Sequence, residues 1–75
     1  MNKTQINRLL VNFGQNVLRY RLARDMTQKG LAVRAGLHRS YIADIERGER
    51  NPSIVSMARI SKALKISISV LSKGA

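Results

Sequence analysis

The chain has 75 residues, of which fourteen are lysine or arginine and four are aspartate or glutamate, so its formal net charge is +10 at pH 7. A chain of this length forms one domain with a small core. Because it contains no cysteine, disulfides, thiolate nucleophiles and cysteine metal sites are excluded. We predict a cytoplasmic protein, since no apolar run could span a bilayer and no signal peptide is evident. The excess of positive charge indicates a polyanionic partner, nucleic acid first and an anionic membrane surface second.

The first two predicted helices are separated by a short interruption. Apolar residues recur every three or four positions from Thr4 to about Arg24, which predicts a long helix. The members of this apolar stripe are Ile6, Leu9 or Leu10, Phe13, Val17 and Tyr20. Asp25 and Met26 follow and interrupt this stripe. Thr27 is a good N-cap for a second helix at about residues 27–35, which Gly36 ends.

The third predicted helix, at about residues 38–47, has two chemically different faces. It lies within the sequence GLHRSYIADIERG, residues 36–48. At 3.6 residues per turn, one face is apolar and consists of Tyr41, Ile42 and Ile45. The other face is expected to point outward and consists of Arg39, Ser40, Ala43, Asp44 and Arg47. An outward face with two arginines is unusual for a helix of fewer than three turns and indicates a binding role.

The last third of the chain predicts two more helices. Ser53 follows the loop GERNPS and is positioned to cap a fourth helix, whose apolar face is formed by Ile54, Met57, Ile60, Ser61 and Leu64. In the tail, isoleucine and valine alternate with serine, a pattern that favours a strand. A lone strand would have no partner in a helical chain. We therefore predict a short fifth helix capped by Ser67.

These elements predict an all-α, compact five-helix fold over residues 1–75, a single domain with a helix-turn-helix formed by helices 2 and 3. The stretch MTQKGLAVRAGLHRSYIADIERGERNPS resembles the signature of the phage-repressor-like (Xre/Cro) DNA-binding domains, and the similarity covers about residues 13–72. Asp25 stands where the family usually has glycine, so it is expected to adopt a left-handed conformation. Within that family, HRSYIADIERGERNPS is most similar to the controller proteins of restriction–modification systems, which are dimeric autoregulators. The resemblance implies a transcriptional regulator that binds double-stranded DNA, as a homodimer on a palindromic operator.

The resemblance makes the third helix the recognition helix, whose N-terminal residues enter the major groove. Arg39 and Ser40 lie in its first turn and are predicted to reach base edges, with Arg39 long enough to contact O6 and N7 of guanine. Ala43 is predicted to touch a thymine methyl group or to permit close approach. Asp44 also lies at a base-contact position. It would accept a hydrogen bond from cytosine N4, repel wrong sequences, or be a solvated or structural residue.

Five further residues are predicted to contact DNA phosphates, which fix the register without reading sequence. Gln28 lies where a helix N-terminus meets a phosphate. The Tyr41 ring is expected to pack on the core while its hydroxyl reaches the DNA backbone. Arg47 and Asn51 flank the loop after the recognition helix and resemble phosphate contacts of the family. His38, the only histidine, would contact DNA or act as a weak N-cap.

Two structural roles complete the prediction. The resemblance implies a partly buried ion pair between Arg21 and Glu46, which would orient the recognition helix. The dimer interface is expected to use helices 4 and 5 through Val55, Ile68 and Leu71, since a short tail cannot hide so much apolar surface alone.

Other classes of function fit the sequence less well. One histidine and four scattered acids do not form a catalytic or metal-binding set, so we predict no enzyme, cofactor or small-molecule ligand. A membrane-surface role would need a long helix with a continuous basic face, and the chain has none. An antitoxin-type repressor that also binds a partner protein is the alternative, and a co-purifying toxin would distinguish it.

Overall fold

The computed structural model describes residues 1–74 and contains five helices within them. They are α1 (Lys3–Ala23), α2 (Gln28–Ala35), α3 (Arg39–Glu46), α4 (Ile54–Leu64) and α5 (Ile68–Leu71). The predicted all-α fold is confirmed, and the bounds of α2 and α3 differ from the predicted ones by at most one residue at either end. No helix among the described residues combines the length and the apolar character needed to cross a membrane.

Hydroxyl side chains define where three of the helices begin. Thr27, Ser53 and Ser67 are the N-caps of α2, α4 and α5, as predicted. In each case the hydroxyl oxygen accepts a hydrogen bond from the backbone N–H three residues later, at 2.9 to 3.1 Å. Such a cap contributes about 1 kcal/mol to helix stability. The cap at Ser67 explains why the alternating tail forms a helical turn and not a strand.

The core lies where α1 packs against α3 and where α2 packs against α3 and α4. Ten side chains form one buried cluster: Phe13, Val17, Leu31, Ala32, Ala35, Ile42, Ile45, Ile60, Leu64 and Leu71. Burying one side chain the size of leucine contributes about 1.5–3 kcal/mol. Because α3 supplies two isoleucines to this cluster, the orientation of α3 is fixed by the core of the domain.

Two expectations about apolar residues were wrong. Leu71 is completely buried within a single chain, so it belongs to the core and not to a surface that a partner could contact. Ile54 is 67% exposed and does not belong to the apolar face of α4. It is the first residue of that helix and lies beyond the edge of the core.

Asparagines of α1 hold the C-terminal segment against the domain and explain the burial of Leu71. The side-chain amide of Asn16, itself buried, donates to the backbone carbonyl of Leu71 at 2.8 Å and lies 3.0 Å from that of Lys73. The amide of Asn12, one helical turn earlier, also donates to the carbonyl of Lys73. These bonds satisfy carbonyl groups at the end of α5 that have no partner within the helix.

Gly14 permits the closest approach between α1 and α3. A β-carbon at this position would lie 2.1 Å from the carbonyl oxygen of Ile45 and 3.0 Å from that of Glu46. Neither oxygen can move without the backbone at the end of α3. Glycine therefore allows α1 to fix the C-terminal end of α3.

We expect Gly14→Ala to destabilise the domain, because the two helices must separate to admit the methyl group. Overpacking of this kind costs about 1–3 kcal/mol, although alanine is intrinsically the better helix former. For a chain of this size the loss corresponds to a melting temperature lower by roughly 4–8 °C per kcal/mol. Gly30→Ala is the matched control, since the nearest atom there is the flexible Thr27 hydroxyl oxygen at 3.2 Å. If both variants melted at the wild-type temperature, the close approach would not constrain the fold.

Candidate nucleic-acid interface

A tight turn between α2 and α3 sets the geometry of the candidate interface. Gly36 ends α2 in the left-handed conformation, with φ of 67°, and the backbone N–H of Leu37 donates to the carbonyl of Ala32 at 2.9 Å. From α4, the Arg59 guanidinium donates to the Gly36 carbonyl at 3.2 Å. The turn is therefore fixed both by its own backbone and by a third helix.

The first turn of α3 presents two exposed polar side chains. Arg39 and Ser40 are both exposed, as predicted for base-contact residues. None of the four acids lies within ion-pair distance of Arg39, so its guanidinium is not engaged by a carboxylate. The Ser40 hydroxyl lies 2.7 Å from Nδ1 of His38. At the start of α3, Arg39 is therefore the long side chain that is available to donate hydrogen bonds to a ligand.

His38 is the N-cap of α3. Its Nδ1 accepts a hydrogen bond from the Ser40 backbone N–H at 3.2 Å. In the tautomer that has its proton on Nε2, Nδ1 also accepts from the Ser40 hydroxyl. The Nε2–H of the exposed ring is then the donor that would meet a phosphate. The capping role and the predicted DNA contact are therefore compatible.

Ala43 does not lie on the outward face of α3. It is only 8% exposed, because α3 is covered by α1 on one side and by α2 on the other. The expectation that its side chain points outward is therefore wrong.

The C-terminal end of α3 and the following loop contain a cluster of charged side chains. Arg47 pairs with Asp44, one turn earlier in the helix, and with Glu49, whose carboxylate oxygen lies 3.3 Å from its Nε. A second arginine, Arg50, lies 3.6 Å from the other carboxylate oxygen of Asp44 and 5.0 Å from the centre of the Tyr41 ring. The arginine predicted to contact phosphate is thus held by carboxylates of its own chain.

Two other predicted phosphate contacts lie at the edges of this surface. The Tyr41 ring is half-buried and packs against the core. Asn51 is exposed in the loop, beside the buried Pro52. The Tyr41 ring lies 5.0 Å from the Arg50 guanidinium, and Asn51 follows Arg50 in the chain. Their contacts with phosphate stay predictions.

Glu46 is the centre of a buried polar network that joins three helices. Its carboxylate accepts two hydrogen bonds from Arg21, from Nε at 2.7 Å and from Nη2 at 3.0 Å. A third comes from the side-chain amide of Gln28 at 2.9 Å. The remaining guanidinium nitrogen of Arg21 donates to the Met26 carbonyl at 2.8 Å. The side chains of Arg21 and Glu46 are 9% and 5% exposed, so the predicted pair lies largely out of water.

The role of Gln28 in this network was not predicted. The sequence assigned it to a phosphate, whereas one N–H of its side-chain amide is used by Glu46. The amide has a second N–H and a carbonyl oxygen, so a phosphate contact and the network are compatible. Eighteen residues separate the two partners, and no local sequence pattern indicates such a contact.

An apolar surface lies on α4 and α5. Val55 is 57% exposed beside the exposed Ile54, and Ile68 is half-buried. A groove of about 210 Å³ adjoins Ile68 and is lined by Leu9, Leu10, Phe13, Asn51, Pro52, Met57, Ile68 and Ser72. Within residues 1–74 no three histidine, aspartate or glutamate side chains come close enough together to hold a metal ion.

Known proteins share this architecture. The chain is 48% identical over 61 residues to the control protein C.BamHI of Bacillus amyloliquefaciens, which is 80% of this chain and 75% of that protein. The crystal structure of the restriction-modification controller protein C.AhdI from Aeromonas hydrophila matches with a TM-score of 0.80 and 42% identity, over 83% of this chain and 94% of that one.

A solved complex adds a further match. One chain in the crystal structure of the controller protein C.Esp1396I tetramer, in complex with its natural 35 base-pair operator, matches with a TM-score of 0.77 and 40% identity, over 84% of this chain and 83% of that chain. The helix-turn-helix family matches residues 17–71, which include all of α2, α3, α4 and α5. The predicted resemblance is confirmed, and the chain belongs to the helix-turn-helix family.

Proposed function

We propose that this chain is a transcriptional regulator that binds double-stranded DNA in a sequence-specific manner, as an autoregulator of the restriction–modification controller type. The observation that carries the proposal is the position of Arg39 in the first turn of α3, exposed and beyond ion-pair distance of the four acidic side chains, on a helix that the core and a fixed turn hold in place. The major groove of B-DNA admits a helix placed in this way. Such a regulator acts in the cytoplasm, where bacterial DNA lies.

Selection from a pool of random duplexes tests this proposal. The chain is expected to enrich a palindromic sequence with half-sites centred about 34 Å apart, since each protomer inserts one recognition helix. Footprinting of the DNA upstream of its own coding region should then protect that sequence. If no common sequence were enriched, the proposal would be contradicted. A consensus sequence without a footprint upstream of the coding region would contradict only autoregulation.

The affinity for DNA should depend strongly on salt. We propose Arg47 and the neighbouring Arg50 as the two cationic phosphate contacts of each protomer. The four contacts of a dimer give a slope of log K against log salt of about −3.6, since each neutralised phosphate contributes about 0.9. Between 50 and 200 mM salt the affinity should therefore fall by roughly two orders of magnitude. Equilibrium titration by fluorescence anisotropy measures this slope. An affinity that did not change over that range would exclude an interface that neutralises phosphates.

We also propose a symmetric homodimer through the exposed apolar residues of α4 and α5. Val55→Asp should disrupt it, because burying the exposed 57% of this valine in both protomers contributes about 2–3 kcal/mol to the dimer. Light scattering should then show the 8.4 kDa monomer in place of a species of twice that mass. Leu22→Asp is the control, since Leu22 is equally exposed, at 57%, but lies on α1. Equal dissociation by both variants, or by neither, would place the interface elsewhere.

A further inference from the structure

The few acids of this chain are not spread evenly over its surface. Of four carboxylates, Glu46 is buried against Arg21, and Asp25 lies in the turn after α1. The other two, Asp44 and Glu49, are both placed beside the arginines at the end of α3. In a chain with fourteen basic residues, half of the acids are therefore found at the surface that is proposed to meet phosphates.

Asp44 is shared between two arginines. One carboxylate oxygen pairs with Nη2 of Arg47, and the other lies 3.6 Å from Nη2 of Arg50. The Asp44 side chain is 30% exposed, and those of the two arginines are 53% and 51% exposed. With Glu49, which also pairs with Arg47, the cluster has two positive and two negative charges and is formally neutral. This part of the proposed DNA surface is thus much less positive than the chain as a whole.

A DNA phosphate that binds either arginine competes with a carboxylate of the same chain for the guanidinium. This competition lowers the binding free energy gained from each phosphate contact, whatever the sequence of the DNA. Asp44 belongs to α3, and an aspartate in the major groove accepts a hydrogen bond from the amino group of cytosine. A matched site can therefore use the displaced carboxylate, while an unmatched site leaves it without a donor near the phosphates.

We infer that Asp44 is a specificity-determining residue that lowers non-specific DNA affinity by holding Arg47 and Arg50 in the free protein. The inference rests on the proposed function, because it presupposes that these arginines meet DNA phosphates. Asp44 acts through these arginines, so the competition lowers the affinity for DNA of any sequence. A matched operator recovers part of that affinity.

The test compares Asp44→Asn with Asp25→Asn on a shuffled duplex and on the selected operator. Both substitutions add one unit of net positive charge. Asparagine also suits the positive φ of 54° at Asp25. Asp44→Asn should raise the affinity for shuffled DNA by about fivefold per protomer, the size expected for two exposed ion pairs. It should also steepen the salt slope by about 0.9 per protomer. The affinity for the operator should rise less, and Asp25→Asn should change both values little.

The same comparison in an Arg47→Gln, Arg50→Gln background tests whether Asp44 acts through the arginines. There, Asp44→Asn should no longer raise the affinity for shuffled DNA. A gain that persists would mean that the carboxylate repels phosphate directly, and equal gains for Asp44→Asn and Asp25→Asn would mean that only net charge matters. Either result overturns the inference. A wild-type chain that bound operator and shuffled DNA equally would instead overturn the proposed function.

Discussion

Glu46→Ala is expected to lower the free energy of unfolding by about 3–5 kcal/mol, because it leaves the guanidinium of Arg21 buried without its carboxylate. The carboxylate accepts three hydrogen bonds in the structure, two from Arg21 and one from Gln28. Little water can replace the carboxylate at Arg21, since the side chains of Arg21 and Glu46 are 9% and 5% exposed. A loss of this size is a large fraction of the stability of so small a domain.

A second substitution separates the buried charge from other effects of Glu46→Ala. Adding Arg21→Leu removes the unpaired guanidinium and fills its space with apolar atoms. The double variant should recover much of the lost stability, because a buried ion pair contributes little net stability compared with a hydrophobic replacement. Thermal unfolding followed by circular dichroism measures all three proteins. A wild-type melting temperature for Glu46→Ala would show that the pair does not stabilise the fold.

Arg39→Ala and Arg47→Ala are expected to affect DNA binding in different ways although each removes one positive charge. A bidentate contact between arginine and guanine contributes about 1–3 kcal/mol of discrimination, or twice that for two half-sites. Arg39→Ala should therefore lose the preference for one base pair in each half-site and keep most of the affinity for shuffled DNA. Arg47 lies at the other end of α3, as its C-cap. Arg47→Ala should weaken binding to all sequences alike.

Binding titrations on operator and shuffled duplexes distinguish the two arginines. An operator in which 7-deazaguanine replaces the contacted guanine is the matched control, because it removes N7 and leaves the phosphates unchanged. Wild-type protein on this DNA should lose part of the discrimination that Arg39→Ala loses on the normal operator, because O6 of the guanine remains. Parallel losses for Arg39→Ala on both duplexes would show that Arg39 contacts phosphate and does not read bases.

Local sequence patterns were enough to predict the helices. The capping residues Thr27, Ser53 and Ser67 act within three positions of the chain, so their side chains and spacing indicate where each helix begins. The left-handed conformation predicted for Asp25 is also observed, with φ of 54°. Such signals depend on neighbours along the chain, which a sequence shows directly.

The wrong predictions concern contacts between helices. Leu71 was predicted to lie at an interface, but Asn16, fifty-five residues away, holds its backbone against α1. Ala43 was placed outward by the helical period, which does not show that two helices cover α3. The salt bridges that occupy Arg47 involve side chains whose rotamers no pattern of residue types predicts. The sequence therefore predicted which residues would form the interface, while the contacts that their side chains make within the chain required the structure.

Sequence-specific DNA binding is tested most directly by a ratio of two affinities. The ratio compares the selected operator with a shuffled duplex of the same length and composition. It should be measured on the wild-type chain at about 0.15 M salt, where screening limits long-range electrostatic attraction. We expect the operator to be bound at least about a thousandfold more tightly, as specific DNA-binding proteins bind their sites. Equal affinity for the two duplexes would show that the basic surface attracts DNA without reading it, and would contradict the account.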